Sequence, residues 1–333
     1  MSYLYVNENG ANISVKENYI TVTYSDGMIR KIPIETLESI QIFGQAHMTT
    51  PCTVQCLKRG ITVVYYSKGG AYFGRLESTG HINVERQRMQ CKLYQTDFAF
   101  GLARKIINAK IHNQLVVLKR YERNAETNLD EECKMIRIFE KKAMESVTIE
   151  QLMGHEGSAA KHYFKGLSKV IDDEFAFEGR NRRPPRDPFN SLLSLGYSIL
   201  MNEIYGKIVT RGLNPYFGFM HADRERHPTL ASDLMEEWRA VIVDSLVMSM
   251  INGHEIQLSH FEEGIDMPGI YLTGEGMKLF IKKYDKKART EVKYLETEEA
   301  RISFRRAMDI QIGHLVEAIE NENYELYTPL RIR

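Results

Sequence analysis

The chain changes its periodicity once, near Gly80, and any fold must respect that change. Up to Ser78 the sequence is cut by turn residues into short β-branched and aromatic runs; beyond Gly80 strand signals nearly vanish and helix formers take over. Strands are expected over residues 3–6, 12–15, 19–24, 29–34 and 39–43, separated by Asn9-Gly10, Lys16-Glu17-Asn18 and Asp26-Gly27, the last a strong hairpin signal. Residues 49–58 read as a helix ended by Gly60, and residues 61–66 are too short and too apolar to be anything but another strand. Gly69-Gly70 lies beside Lys68 but lacks phosphate-loop spacing, so it is read as a hairpin turn into a strand over 71–76. The expected class is therefore α+β: a small β-strand-rich domain over residues 1–85, then a larger all-α domain over residues 86–333.

A chain of 333 residues exceeds the usual single-domain size, which agrees with two units. The 44 basic and 44 acidic side chains cancel, so a polyanion would have to be held by local basic patches rather than by the global field. No signal-like start and no apolar run near bilayer length is present, which points to the cytoplasm and away from a membrane. The four cysteines fit a reducing compartment. Cys52 and Cys56 are one helical turn apart with no second Cys or His pair at zinc spacing, so core packing is expected of them.

In the helical part, residues 85–124 form a long helical stretch broken near Thr96-Asp97, and residues 130–146 a second helix. Thr148 and Gln151 have capping-box spacing and open a third. It carries Glu156, followed by Gly157, Ser158, Ala159 and Ala160, small residues that would let another backbone approach. Residues 179–188 form a loop with four arginines, Arg180, Arg182, Arg183 and Arg186, against one aspartate, a pattern that suits either a solvated surface or a phosphate partner. A core stripe of Leu192, Leu195, Ile199, Ile204 and Ile208 leads to the stretch Arg211 to Asp244. There an apolar run delivers His221, and Pro228 opens a helix whose core face holds Leu230, Leu234, Trp238 and Val241. Asp233, Glu236, Glu237 and Asp244 cannot all share that face. Asp233 and Glu236, three apart, are neighbours on the helix surface. One histidine with two or three carboxylates is a hard-donor set suited to Mg²⁺ or Mn²⁺. Spacing alone does not join residues on three segments, and by itself it favours exposed acids and a core histidine.

Four motifs taken together go further: AKIHNQ at Ala109 to Gln114, HEGSAAKHYF at His155 to Phe164, RNRRPPRDPFNSLLSLGY at Arg180 to Tyr197, and GLNPYFGFMH followed by LASDLMEEWR. With the ITVVYYSKGGAYFGRL segment of the strand-rich part, the chain resembles over nearly its whole length the CRISPR-associated spacer-acquisition integrases, the metal-dependent DNA endonucleases of the adaptation complex. The resemblance implies that Glu156, His221 and Glu236 are the catalytic metal ligands, with Asp233 an auxiliary acid and Mg²⁺ or Mn²⁺ the cofactor. Choosing Glu236 over Glu237 rests on it, and Glu237 and Asp244 are then solvated or structural. It implies attack by the 3′-hydroxyl of a captured DNA fragment on a phosphodiester at the repeat boundary. The partners would be double-stranded DNA, a second copy in a homodimer built around the β domain, and a small adaptation protein bridging two dimers. Lys161, His162, Arg180, Arg182, Arg183 and Arg186 would steer the DNA backbone. Met220 and Trp238 depart from the usual leucine and phenylalanine, and neither is a ligand. The competing reading is a non-catalytic DNA-binding scaffold.

Overall fold

The computed structural model describes residues 2–123, 127–181, 184–264, 268–293 and 300–333; Arg182 and Arg183 of the basic loop lie outside the described residues. The first part holds β1 (Ser2–Val6), β2 (Asn12–Lys16), β3 (Tyr19–Thr23), β4 (Ile29–Pro33), β5 (Leu37–Phe43), β6 (His47–Met48), helix α1 (Thr50–Arg59), β7 (Thr62–Tyr66) and β8 (Tyr72–Leu76). They form two four-stranded sheets, ordered β1-β5-β7-β8 and β4-β3-β2-β6. The Asp26-Gly27 turn joins the antiparallel pair β3 and β4, and Gly69-Gly70 joins β7 and β8, with Gly70 at φ +87°.

Strand β7 shows why an apolar run of five residues is needed. Val63 is buried with Leu4, Ile13, Ile40, Cys52 and Cys56 in a core between the sheets and α1, and Tyr65 packs against that core. Val64 and Tyr66, on the opposite face, join the core of the helical part. A strand covered on both faces has no polar side to alternate. Cys52 and Cys56 are buried, free thiols, as core packing required.

The helices that follow are α2 (Val84–Lys92), α3 (Asp97–Glu122), α4 (Asp130–Met144), α5 (Ile149–Ser168), α6 (Pro188–Thr210), α7 (Thr229–Trp238), α8 (Ser245–Asn252), α9 (Gly274–Arg289) and α10 (Phe304–Glu320). A π-helical turn, Arg239–Asp244, joins α7 to α8. Short pairs β9 (Phe261–Glu263) with β10 (Ile270–Leu272), and β11 (Glu291–Val292) with β12 (Ile302–Ser303), flank α9. The class is α+β. Among the described residues no helix is long and apolar enough to cross a membrane.

Two expectations about helix faces change. The stripe on α6 is nearly its whole circumference, for Asn190, Ser191, Asn202, Glu203 and Lys207 are buried alongside the leucines and isoleucines. Such a helix is surrounded rather than laid on a surface. On α5 the small residues after Glu156 do not all receive a neighbour. A Cβ at Gly157 would meet nothing within 4 Å, whereas one at Gly166 would strike Leu118 of α3 at 2.8 Å, and it is Gly166 that permits close packing.

Beta and helical parts are joined by a buried ionic knot. Arg305 of α10, 1% exposed, places Nη2 2.7 Å from Oε1 of Glu203 on α6 and 2.9 Å from the Tyr5 hydroxyl on β1, and Nη1 2.8 Å from Asp285 on α9. The Tyr5 hydroxyl in turn donates to Glu203 Oε1 at 2.8 Å. Removing one member leaves a buried charge without its partner. Arg305→Ala is therefore expected to cost about 3–5 kcal/mol in urea unfolding, and Arg305→Met combined with Glu203→Leu to cost clearly less, since it removes both charges.

Candidate active site

The loop ahead of α7 is folded onto that helix by a single carboxylate. Asp233 Oδ2 accepts from the backbone N–H groups of Phe219 at 2.7 Å and Met220 at 3.0 Å, while Oδ1 accepts from His221 N at 3.1 Å and lies 2.7 Å from His221 Nδ1. The approach needs Gly218, where a Cβ would come within 2.5 Å of Thr229 and 2.7 Å of Asp233 Oδ2. With Nδ1 turned to Asp233, the imidazole presents Nε2 on its other side, 3.9 Å from Glu236 Oε1. Burial works to lower the His221 pKa, but the Asp233 hydrogen bond and charge, with Glu236, outweigh it and raise it. The ring is partly open, its side chain 32% exposed.

Glu236 lies under this ring on α7 and is 5% exposed. Its Oε1 is 3.0 Å from Arg239 Nη2 and its Oε2 2.5 Å from Lys110 Nζ. The same ammonium contacts Glu156 Oε1 on α5. Helix α3, which carries Lys110, packs against both α5 and α7, so one lysine spans the gap between two acids far apart in sequence. Burial opposes the charged form of Glu236, but Arg239, Lys110 and His221 hold its carboxyl down to about 2. Burial likewise opposes a charged Lys110, yet Glu236 and Glu156 raise its pKa.

Arg239 begins the π-helical turn, its guanidinium over the Tyr197 ring at 4.6 Å. At the other end of that turn Asp244 accepts from Tyr197 at 2.5 Å and Tyr163 at 3.0 Å. Tyr163 sits on α5, seven residues beyond Glu156, so the arginine that neutralises Glu236 and the helix that presents Glu156 are braced by the same aspartate. Burial raises the Asp244 pKa despite both tyrosines and Arg239.

Of the two alternatives for Glu237 and Asp244, solvated or structural, the structure shows the second. Asp233, Glu236, Glu237 and Asp244 are 0%, 5%, 0% and 1% exposed, because α7 is buried on every side and the end of the π turn is buried with it. Glu237 points away to Tyr327, Gln311 and the Leu330 N–H, at 2.7, 2.6 and 2.5 Å. Burial pushes its pKa up to about 8 against those three donors. Asp233 is also placed differently from a ligand, since both of its oxygens are taken by the His221 loop.

The basic residues separate in the same way. Lys161 and Arg186 are exposed. Arg180 turns inward, donating to Asn190 Oδ1 at 2.7 Å and Ser194 Oγ at 3.2 Å beside the Tyr197 ring. His162 is half-buried and stacked on Phe139 at 5.9 Å, its Nδ1 without a hydrogen-bond partner among the described residues. Lys110 and Arg239 were not singled out from the sequence, although both lie in quoted motifs. The legible signal was Lys110 itself, a lysine inside the otherwise apolar face formed by Ile106, Ile107 and Val117.

As a setting for a divalent ion the donor types agree: two carboxylates share the Lys110 ammonium, and Nε2 of His221 lies 3.9 Å from Glu236 Oε1. Among the described residues no three His, Cys, Asp or Glu side chains already converge at ligating spacing, and the Lys110 ammonium stands between the two glutamates. The donors fit the ion in kind, provided that ammonium moves.

The Asp233–His221 pair has a pH signature. A histidine whose folded pKa is raised adds stability that is fully present below its unfolded value of about 6.5 and is lost as pH rises through the folded value. Asp233→Asn should therefore lower the His221 pKa in an NMR titration of the ion-free protein. It should also reduce stability more at pH 5.5 than at pH 8.5.

A family model described as CRISPR associated protein Cas1 matches residues 4–286. A CRISPR-associated endonuclease Cas1 of Mycobacterium tuberculosis is 35% identical over 326 residues, covering 96% of this chain and 94% of that protein. Among solved structures, a Cas1 protein from Thermotoga maritima superposes with a TM-score of 0.81 at 26% identity, covering 96% of this chain and 97% of that one. A chain of a Cas6-RT-Cas1–Cas2 complex superposes with a TM-score of 0.83 at 25% identity, covering 100% of this chain and 36% of its own length. With the family model spanning most of its length and a relative this similar end to end, the chain belongs to the Cas1 family of CRISPR-associated proteins.

Proposed function

We propose that this protein is the DNA integrase and endonuclease of spacer acquisition, joining short duplex fragments to a repeat by attack of a 3′-hydroxyl on a phosphodiester. The observation that supports the reading is that Lys110 bridges Glu156 and Glu236, two acids far apart in sequence, with Nε2 of His221 3.9 Å from Glu236. When bound there, Mg²⁺ or Mn²⁺ supplies Lewis acidity toward the attacking and bridging oxygens of a phosphodiester. Glu156, Glu236 and Nε2 of His221 would hold it. Asp233 fixes the imidazole so that Nε2 faces the site, the arrangement by which a carboxylate behind a histidine sets its tautomer. Arg239 keeps Glu236 ionised and leaves a positive group where negative charge grows in phosphoryl transfer. His221 need not move a proton.

The exposed Lys161 and Arg186 offer phosphate contacts, with Arg182 and Arg183 of the same loop assigned to DNA by their sequence context alone. Arg180 instead shapes that loop from inside. A homodimer through the β part is supported by the open edges of both sheets, where Ile29 and Phe73 are 58% and 72% exposed. The Cas2-containing complex of a structural neighbour supports a small bridging partner here.

Glu156→Ala and His221→Ala should each lower joining of short duplex DNA to a repeat-bearing plasmid by about 10²–10³-fold or more, with nuclease activity falling in step and duplex binding nearly unchanged. A chelator should abolish both reactions in the unaltered protein. Undiminished joining by either variant would overturn the assignment.

A further inference from the structure

Lys110 is 8% exposed and lies on a stretch of α3 whose neighbours Ala109 and Ile111 are fully buried. An ammonium in such a place needs anionic partners to offset its desolvation, and it has two, Glu156 Oε1 and Glu236 Oε2. These are the two carboxylates that the proposed function assigns to a divalent ion, on which the inference here rests. The ammonium bridges them at contact distance, so it occupies the ground between them. A doubly charged ion bound to both would face a positive charge a few ångströms away in a poorly screened interior. The two cations exclude each other, and the lysine side chain is long and flexible enough to yield.

We infer that Lys110 is the resident counter-cation of the site: it holds Glu156 and Glu236 together while no divalent ion is bound, and it competes with that ion for the pair. Lys110 is thus a positioning residue for the reaction. Without it, the buried Glu236 on α7 and the partly buried Glu156 on α5 would repel with no cation shared between them. With it, the site is preassembled and charge-balanced, and ion affinity is set by how readily the ammonium leaves. Arg239 does not share this role, because among the described residues its ion pair is with Glu236 alone, through Oε1.

The test is Mn²⁺ binding by the full chain without DNA, followed by electron paramagnetic resonance of the free ion and by the Mn²⁺-induced change in Tm. Lys110→Met is expected to bind Mn²⁺ about tenfold more tightly or better. It should melt lower than the unaltered protein without the ion, and gain more in Tm when the ion is added. Lys110→Gln keeps a polar end, carries the same expectation, and decides the matter if Lys110→Met does not fold. Lys110→Arg, which retains the charge, should show no gain in affinity. Equal or weaker Mn²⁺ binding by a folded neutral variant would overturn the competition and leave the metal site standing. If Glu156→Ala binds Mn²⁺ as well as the unaltered protein does, the ion is elsewhere, and the site reading falls together with this inference.

Discussion

Four carboxylates are buried within the twelve residues from Asp233 to Asp244, and each demands its own compensation. A buried anion is tolerated only when paired or richly hydrogen-bonded. Asp233 is met by three backbone N–H groups and an imidazole, Glu236 by two cations, Glu237 by a hydroxyl, an amide and a backbone N–H, and Asp244 by two tyrosines. These partners come from α3, α5, α6, α10, the loop before α7, the π turn and the segment from Tyr327 to Leu330. The helix that carries the reactive carboxylate therefore dictates where most of the helical part must sit.

The consequence for chemistry is that adjacent residues of one type have opposite electrical roles. Glu236 meets full positive charges and is held ionised, whereas Glu237 meets only neutral dipoles and its burial wins. Helical geometry makes this possible, since neighbours in sequence point about 100° apart on the axis. One side of α7 faces Lys110 and Arg239; the other faces Gln311 and Tyr327. Arg239 meets Glu236 at ordinary i, i+3 helical spacing, while Asp244 at the far end of the π turn is held by the tyrosines.

Much of the fold was legible because it rests on local rules. Turn residues and β-branched or aromatic runs marked the strands of both sheets except the two-residue β6, and the run from Ile61 to Tyr66 was read as a strand, while the short pairs β9–β10 and β11–β12 in the part expected to be all helical gave no such signal. Faces of the deeply buried helices were not legible, because periodicity reports a contrast between core and solvent and α6 and α7 have no solvent side. Polar residues on them resemble an exposed face until their partners are known, and those partners, such as Tyr327 for Glu237 or Tyr163 for Asp244, are remote in sequence. The three candidate ligands were named by resemblance rather than by spacing, since Glu156 and Glu236 meet only through Lys110 on a third helix. Arg180 was noticed for its charged neighbours, and its contacts with Asn190, Ser194 and Tyr197 of the next helix were likewise not legible.

That third helix is itself registered by a distant segment. Asn113 follows Lys110 by three residues on α3, so the two side chains are neighbours on its surface. Its Nδ2 donates to the backbone oxygens of Glu237 at 3.0 Å and Leu330 at 2.9 Å, and its Oδ1 accepts from Ile332 N at 3.0 Å. Leu330 N also donates to the Glu237 carboxylate. The strand-like segment of Leu330 and Ile332 thus ties α3 to α7 one turn from where Lys110 meets Glu236. An ammonium at bonding distance from two carboxylates tolerates little sliding between its helices, because Coulomb attraction and hydrogen bonding both fall steeply over an ångström. The residues from Tyr327 to Ile332 carry no chemistry of their own, yet through Asn113 and Glu237 they set the register on which the Glu156–Lys110–Glu236 arrangement depends.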